Sequence, residues 1–224
     1  MSNVFFTSDP HIGHRKVMAS RVTVDGRPAY PDLNNIPEFF GDYDIEQMNR
    51  ILADKWDTSV RRDDVVWVLG DISSGTKTGQ EQALEWFRRR PGRKRIVLGN
   101  HDGPHPMHRD AHKWFPLYAD VFETVQSAAR VRIPLAEGHV SALLSHFPYE
   151  GDHTVEPRHS QWRLRNHGEY LLHGHTHSSS RLSSALTGEN GDKAWQIHVG
   201  LDAWNGWPVP LEEIQHIIEI LESE

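Results

Sequence analysis

Short runs of apolar residues alternate with longer amphipathic stretches along the chain. The short runs are rich in Val, Ile and Leu, and each lies near Gly, Pro, Asp or Asn, a pattern typical of strands bounded by turns. The pattern predicts strands at 3–7, 64–69, 95–98, 121–125, 130–133, 140–144, 170–172 and 196–199.

The amphipathic stretches predict three helices. In the first, 44–60, apolar residues recur every three or four positions and form one stripe. The second, 78–90, ends in arginines followed by Pro-Gly, which is a typical stop signal for a helix. The third, 211–221, closes the chain with an apolar inner face and a proline just before its first turn.

Strands that alternate with helices, then a run of strands and a last helix, indicate an α/β fold with a mixed sheet or a pair of sheets. Two polar or proline-containing segments, 22–42 and 147–168, fit neither pattern, and long loops of this kind often bind ligands or cover a site. No linker divides the 224 residues, so we expect one domain over 1–224.

Composition limits the function classes. The chain has no cysteine, which excludes disulfides, cysteine nucleophiles and thiolate metal sites and is compatible with a reducing compartment. The formal net charge of −7 argues against binding long nucleic acid. No apolar run is long enough for a membrane span, and the first residues lead directly into a strand rather than a signal sequence. We therefore expect a cytoplasmic protein with no membrane partner.

Histidine is unusually abundant, with 16 copies, and several copies stand where predicted strands end. In open α/β sheets, the crevice beyond the carboxyl ends of the strands is the usual place for a ligand. Five clusters of polar residues follow predicted strands or lie at their ends: Asp9-Pro10-His11, Gly70-Asp71, Gly99-Asn100-His101-Asp102, Ser145-His146 and Gly174-His175-Thr176-His177.

These clusters provide nitrogen and oxygen ligands of the kind that suits Mn, Fe, Zn or Ni. The candidate ligands are too many for one ion and fit two ions that share a carboxylate: Asp9, His11, Asp71, Asn100, His146, His175 and His177. Each cluster alone has a simpler explanation, because Gly-Asp and Gly-Asn pairs are common in turns and a single histidine is often a hydrogen-bonded core residue. Their repetition behind apolar strands favours a common metal site.

As a set, the five clusters resemble the signature blocks of the calcineurin-like metallophosphoesterase family. The longer strings around Asp9 and 91–102, and the ending His198-Val199-Gly200-Leu201-Asp202-Ala203-Trp204, are similar to its small bacterial and phage branch. The resemblance implies an α/β, four-layer αββα sandwich of two mixed sheets flanked by helices. A dinuclear metal site would lie at the carboxyl-terminal edge of the strands.

Carried over residue by residue, the resemblance implies that Asp71 bridges two divalent transition-metal ions. Mn is the leading candidate, and Fe, Zn, Ni and Co are alternatives. Asp9, His11 and His177 would complete one site, and Asn100, His146 and His175 the other. His101 would face the substrate, and Asp102 would orient His101. We further expect substrate contacts from His14, Arg15 and Arg158.

The implied reaction is hydrolysis of a phosphoric ester by a hydroxide that bridges the two metals. We expect a phosphodiesterase that acts on small nucleotide-like diesters, with 2′,3′-cyclic nucleotides as the first candidates. Histidine titrates near neutral pH, so His101 could stabilise the phosphorane or protonate the leaving oxygen. The alternatives are a phosphomonoesterase, including a protein phosphatase, a nuclease, and a binding scaffold without activity.

Overall fold

The computed structural model describes residues 2–21, 42–152, 154–187 and 192–223. Its strands form two five-stranded sheets, both with mixed strand directions. The predicted loop 22–42 lies outside the described residues except for Asp42, which begins a helix. None of the helices in the described ranges has the length and apolar character needed to span a bilayer.

The first sheet has the strand order β10-β1-β2-β3-β4. Its members are β1 (Val4–Thr7), β2 (Val65–Val68), β3 (Arg93–Val97), β4 (Thr124–Gln126) and β10 (Val209–Pro210). β1 to β4 run parallel and β10 is antiparallel to β1. Residues of β2 are buried throughout, which explains its continuous apolar sequence, since a central parallel strand is covered on both faces.

The second sheet has the strand order β5-β6-β7-β9-β8. Its members are β5 (Ala129–Pro134), β6 (His139–Leu144), β7 (Tyr170–His173), β8 (Leu182–Thr187) and β9 (Asp192–His198). β6, β7 and β9 run parallel, while β5 and β8 are antiparallel edge strands.

Within the described ranges, five α-helices accompany the sheets: α1 (Arg15–Ser20), α2 (Asp42–Ser59), α3 (Lys77–Arg88), α4 (Ala111–Ala119) and α5 (Leu211–Ser223). The apolar stripes of α2 and α3 pack on one face of the first sheet, where Trp56 and Phe87 lie against Val66 and Ile96. α5 contacts β1, β5 and β10.

A second apolar core lies between the two sheets. Phe6 of β1 and Leu69, which follows β2, pack there with Leu144 and Leu172 of the second sheet, together with Ile214 of α5. The far face of the second sheet packs against Tyr149 and Leu164 from the segment 147–168. The expected α/β sandwich of two mixed sheets flanked by helices is therefore confirmed.

Every predicted strand and helix overlaps an observed one, but some bounds differ. The fourth strand covers Thr124–Gln126 rather than 121–125, because Val121 and Phe122 close the turn after α4 through the carbonyl of Tyr118. The structure adds α1, α4, β8 and β10, and a short 3₁₀ helix (Ser160–Trp162) within the predicted loop 147–168.

Candidate metal centre and substrate cleft

The carboxyl ends of the parallel strands from both sheets meet at one edge of the sandwich. Within the first sheet, the backbone N–H of Asp9 donates to Gly70 O at 3.1 Å and that of His11 to Asp71 O at 3.2 Å. Across the two sheets, the backbone N–H of His175 donates to Asp9 Oδ2 at 3.0 Å. Residues that are 166 positions apart are thus joined directly at this edge.

The first cluster consists of Asp9, His11 and His177. The Nε2 atoms of His11 and His177 each lie 3.9 Å from Asp9 Oδ1. Ligand atoms of these three residues lie within 4.8 Å of one another, a spacing that can hold a metal ion.

The second cluster consists of Asn100, His146 and His175. His146 Nε2 lies 3.2 Å from both Asn100 Oδ1 and His175 Nδ1. Asp71 lies between the two clusters: its Oδ2 atom is 3.8 Å from His11 Nε2 and 3.5 Å from His146 Nε2. All seven predicted ligands therefore come together, and one carboxylate oxygen of Asp71 faces both clusters.

The donor atoms fit a metal ion. Asp9 Oδ1 and His11 Nε2 are buried and have no hydrogen-bond partner among the described residues. Leaving such atoms unpaired costs free energy, and a bound cation would satisfy both. Nitrogen and oxygen donors without thiolate suit divalent transition metals.

The backbone conformation also marks this site. Among the described non-glycine residues, seven have a positive φ, and five of these are predicted ligands: Asp9, His11, Asp71, His175 and His177. This left-handed conformation costs L-residues free energy and persists where surrounding contacts enforce it. At each of these five positions, the strained turn directs a polar side chain into the site.

Two glycines allow the strand ends to approach closely. A Cβ atom on Gly99 would overlap Asp71 Oδ1, and one on Gly174 would overlap Ser8 Oγ and Asp9 Oδ2. The Gly-Asn and Gly-His pairs of the sequence therefore make room for the carboxylates, beyond forming turns.

Each candidate histidine ligand has its second ring nitrogen next to an oxygen. His11 Nδ1 lies 2.9 Å from Ser73 O, and His146 Nδ1 lies 2.8 Å from Leu69 O. The other two face carboxylates: His177 Nδ1 is 3.1 Å from Asp202 Oδ2, and His175 Nε2 is 3.3 Å from Asp152 Oδ2. Such partners fix the tautomer and direct the remaining nitrogen toward a metal.

Asp152 and Asp202 are supporting residues that the sequence pattern did not predict. Asp202 belongs to the string His198–Trp204, which we noted only as a resemblance, and this is the signal that could have identified it. Asp152 lies in an irregular segment without a recognisable pattern. Arg21 anchors Asp202: its Nε lies 3.3 Å from Asp202 Oδ1, and the same guanidinium donates to the backbone carbonyls of Asp9 and Pro10.

At three of the candidate ligands, the local electrostatics favour the protonation state that binds a metal ion. Burial opposes ionisation of Asp9, but the positive charges of His146 and His177 outweigh it and hold its pKa below the ordinary value. Burial lowers the pKa of His175 to about 3 and that of His11 well below its usual range. Ionised carboxylate and neutral imidazole are the ligand forms that metals require.

Two of the candidate ligands, His146 and His177, instead have a raised pKa. Burial lowers the pKa of His146, but Asp71 and Asp9 outweigh it and raise the pKa. The pKa of His177 is raised in the same way, by the hydrogen bond to Asp202 and the charge of Asp9 against burial. Protons and metal ions therefore compete for these two histidines.

His101 lies on the cleft, as expected, but Asp102 does not orient it. The His101 side chain is 39 % exposed, its Nδ1 lies 3.2 Å from Ser74 O, and its backbone N–H donates to Asp71 Oδ1 at 2.8 Å. Asp102 is fully buried and accepts the backbone N–H groups of Asp71, Ile72 and Gly99. The expected role of Asp102 is therefore wrong: its carboxylate faces the backbone of the ligand loops, away from the cleft.

The three residues expected to contact the substrate do not all lie on the cleft. His14 and Arg158 line the cleft beside the clusters, and the His14 ring lies 5.3 Å from that of His11. Arg15 instead lines a groove of about 980 Å³ between α2 and α3, together with Arg50 and Glu85. The expectation for Arg15 is not supported, because this first residue of α1 lines the groove and is not among the residues that line the cleft.

The chain belongs to the calcineurin-like phosphoesterase family, whose model matches residues 2–179. It is thus a metal-dependent phosphoesterase, a hydrolase of phosphoric esters. The match contains all the residues of the two clusters together with Asp71, whereas Asp202 lies beyond its end.

Two phage proteins are similar over the whole chain. The Gene 66 protein of Mycobacterium phage L5 is 50 % identical, and the alignment covers 100 % of this chain and 98 % of that protein. The Gene 66 protein of Mycobacterium phage D29 is 49 % identical, with 100 % and 99 % covered. Among solved structures, the protein of unknown function AQ665 from Aquifex aeolicus has the same fold, with a TM-score of 0.58 at 18 % identity over 97 % of this chain and 100 % of that one.

Proposed function

We propose that this protein is a phosphodiesterase that hydrolyses small nucleotide-like diesters with the help of two metal ions. The observation that carries the proposal is a pair of cavities that meet at Asn100 and His101. A diester has a group on each side of its phosphorus atom, so its hydrolysis benefits from space on both sides of the reacting centre.

The first cavity, of about 430 Å³, is lined by His11 and His177 of the first cluster and by Asn100 and His175 of the second. Its other walls include His14, Thr176 and Arg158. The second cavity, of about 500 Å³, lies beyond His101 and is lined by Thr76, His108 and Trp114 among others. The indole of Trp114 offers a surface on which a nucleobase could stack. This arrangement supports a substrate whose phosphate lies at the clusters and whose leaving group lies in the second cavity.

The clusters would hold the two ions. Asp9, His11, Asp71 and His177 would bind one ion, and Asp71, Asn100, His146 and His175 the other. When bound, such ions would supply an activated water and neutralise phosphoryl oxygens. We propose Mn²⁺ first, with Fe, Zn, Ni or Co as alternatives, because the nitrogen and oxygen donors accept each of them.

The protein's own side chains would complete the reaction. His101 stands where the two cavities meet, with its Nε2 atom 3.9 Å from Asp71 Oδ2. From this position it would donate a proton to the leaving oxygen, which matters most for a poor leaving group such as a ribose hydroxyl. Arg158, on the wall of the first cavity, would bind a phosphoryl oxygen of the substrate.

The test is a comparison of two chromogenic esters with metal-stripped protein reloaded with Mn²⁺. We expect bis-p-nitrophenyl phosphate to be hydrolysed with a higher kcat/KM than p-nitrophenyl phosphate. A screen of 2′,3′- and 3′,5′-cyclic nucleotides and of short linear diesters would then identify the substrate class, beginning with 2′,3′-cyclic nucleotides. A preference for the monoester would overturn the proposal in favour of a phosphatase.

Other outcomes separate the remaining alternatives. Hydrolysis of long single- or double-stranded nucleic acid in preference to dinucleotides would indicate a nuclease. No turnover of any ester with any of the five metals would indicate a binding scaffold. Retention of every predicted ligand and of His101 favours an active enzyme over this last alternative.

A further inference from the structure

Asp152 is a buried carboxylate beside the second cluster. Its side chain is 1 % exposed, although it lies in the irregular segment that follows β6. Burying a charge is costly unless the charge is paired and hydrogen-bonded. The groups that pair with Asp152 therefore indicate its role.

One partner is the candidate ligand His175. Asp152 Oδ2 lies 3.3 Å from His175 Nε2, while His175 Nδ1 lies 3.2 Å from His146 Nε2 inside the second cluster. A neutral imidazole carries one N–H, and its other nitrogen keeps a lone pair. An N–H at Nε2 can donate to Asp152, which leaves the Nδ1 lone pair directed at the position of a metal.

The other partners are arginines of the same segment. Arg163 Nη2 lies 3.1 Å from Asp152 Oδ2, and this guanidinium also donates to Gly151 O at 2.8 Å. Arg158 donates its backbone N–H to Asp152 Oδ2 at 2.9 Å, and its Nη2 lies 3.4 Å from Oδ1. Arg163 is 7 % exposed, whereas Arg158 is 41 % exposed and reaches the cleft.

We propose that Asp152 is a positioning residue that serves both the metal centre and the substrate cleft. It fixes His175 with Nδ1 toward the second cluster, and it holds Arg158 at the wall where a phosphoryl oxygen would bind. The second half of this inference rests on the proposed phosphoesterase cleft, whereas the first half concerns metal binding alone.

The test is a Mn²⁺ titration of metal-stripped protein by calorimetry, in the wild type, in Asp152→Asn and in Asp54→Asn. Asparagine keeps the size of aspartate but loses the charge and one acceptor oxygen. Removing an oxygen partner of a ligating histidine typically weakens metal binding about 10–100-fold. We expect Asp152→Asn to weaken the binding of one Mn²⁺ ion by this factor and to leave the other within about twofold. Asp54 is exposed on α2, so Asp54→Asn should match the wild type.

A substrate variant separates the two roles. Arg158→Ala should raise KM for bis-p-nitrophenyl phosphate about tenfold, the effect of one lost charged contact, and should leave the Mn²⁺ titration unchanged. Asp152→Asn should change both the titration and KM. Unchanged Mn²⁺ binding in a folded Asp152→Asn variant would overturn the proposal.

A measurement on the wild type covers the case in which Asp152→Asn does not fold. Long-range ¹H–¹⁵N correlation spectra of metal-free, histidine-labelled protein report the tautomer of each ring, and His175→Gln assigns the relevant signal. We expect the proton of His175 on Nε2, whereas a proton on Nδ1 would overturn the proposal. The metal titration and the tautomer measurement are independent of turnover, so an inactive wild type would contradict the proposed function and the role of Arg158 without affecting the inference about Asp152 and His175.

Discussion

The carboxylate of Asp102 accepts the backbone N–H of Asp71 at 2.9 Å. The same carboxylate accepts the N–H of Gly99 at 2.7 Å and that of Ile72 at 3.1 Å. One buried side chain thus joins the loop after β2 to the loop after β3. It thereby fixes the backbone of the residue whose side chain faces both clusters.

Replacing Asp102 should therefore destabilise the fold and disturb the metal centre. Asp102→Ala leaves three buried N–H groups without their acceptor, and we expect a loss of at least about 3 kcal/mol in the free energy of unfolding. Asp102→Asn should lose less, because its amide oxygen still accepts. Urea unfolding in EDTA measures both. His101→Ala is the control, since its exposed ring contributes little to stability; equal stability of Asp102→Ala and His101→Ala would contradict this role.

Asp202 lies beyond the residues that match the family model, but it should still influence metal binding. Its carboxylate lies next to His177 Nδ1 and Arg21, so Asp202→Asn should release the His177 ring and weaken binding at the first cluster about 10–100-fold. A Mn²⁺ titration measures this change. Because Asp152 acts on the second cluster, the double variant Asp152→Asn/Asp202→Asn should weaken both binding events. Wild-type affinity in Asp202→Asn would show that the contact is not needed.

Trp114 tests the second cavity. If a leaving nucleoside stacks on its indole, Trp114→Ala should raise KM for a dinucleoside monophosphate about tenfold, since stacking is worth about 1–3 kcal/mol per base. KM for the methyl ester of the same nucleotide should not change. Trp207, which is 42 % exposed and lies under Lys55, provides the control variant Trp207→Ala. Equal KM changes for both esters would place the nucleoside elsewhere.

His105 gives the fold a dependence on pH. It is buried against Trp162 and Phe147, and burial, followed by the charges of His146 and His108, lowers its pKa to about 4. Between the ordinary histidine pKa of about 6.5 and this value, the unfolded chain binds a proton that the folded chain does not. The stabilising contribution of neutral His105 is therefore fully present above about pH 6.5 and is lost as the pH falls toward 4.

The variant His105→Gln measures this contribution. Its free energy of unfolding should fall less steeply with acidification than that of the wild type, by up to about 1.4 kcal/mol per pH unit near pH 5. Urea unfolding in EDTA from pH 7 to pH 4.5 gives both slopes. Parallel slopes would mean that His105 titrates normally in the folded protein.

Much of the candidate site could be predicted because each candidate ligand follows an apolar strand. The apolar run Val65–Val68 indicates a buried strand, and Gly70-Asp71 lies just beyond its end. Elements without such a pattern were missed. β8 (Leu182–Thr187) contains serines on an edge strand, and α4 (Ala111–Ala119) contains Pro116, which argues against a helix in the sequence.

The roles of the supporting carboxylates required the tertiary structure. Asp102 follows His101 directly, so the sequence favours a contact between them, but folding turns its carboxylate to the amides of the neighbouring loops. Asp152 and Asp202 approach His175 and His177 from segments about 25 residues away in the chain. No local pattern predicts such distant pairs.

In the proposed mechanism, Asp71 joins two metal sites that together carry out ester hydrolysis. The most direct test is a Mn²⁺ titration of metal-stripped wild type and Asp71→Ala, with bound Mn²⁺ per chain and hydrolysis of bis-p-nitrophenyl phosphate measured on the same samples. We predict two ions per wild-type chain with activity that follows the second ion, and loss of both paired binding and turnover in Asp71→Ala. Full activity of Asp71→Ala, or a wild type that is fully active with one ion, would contradict this role of Asp71.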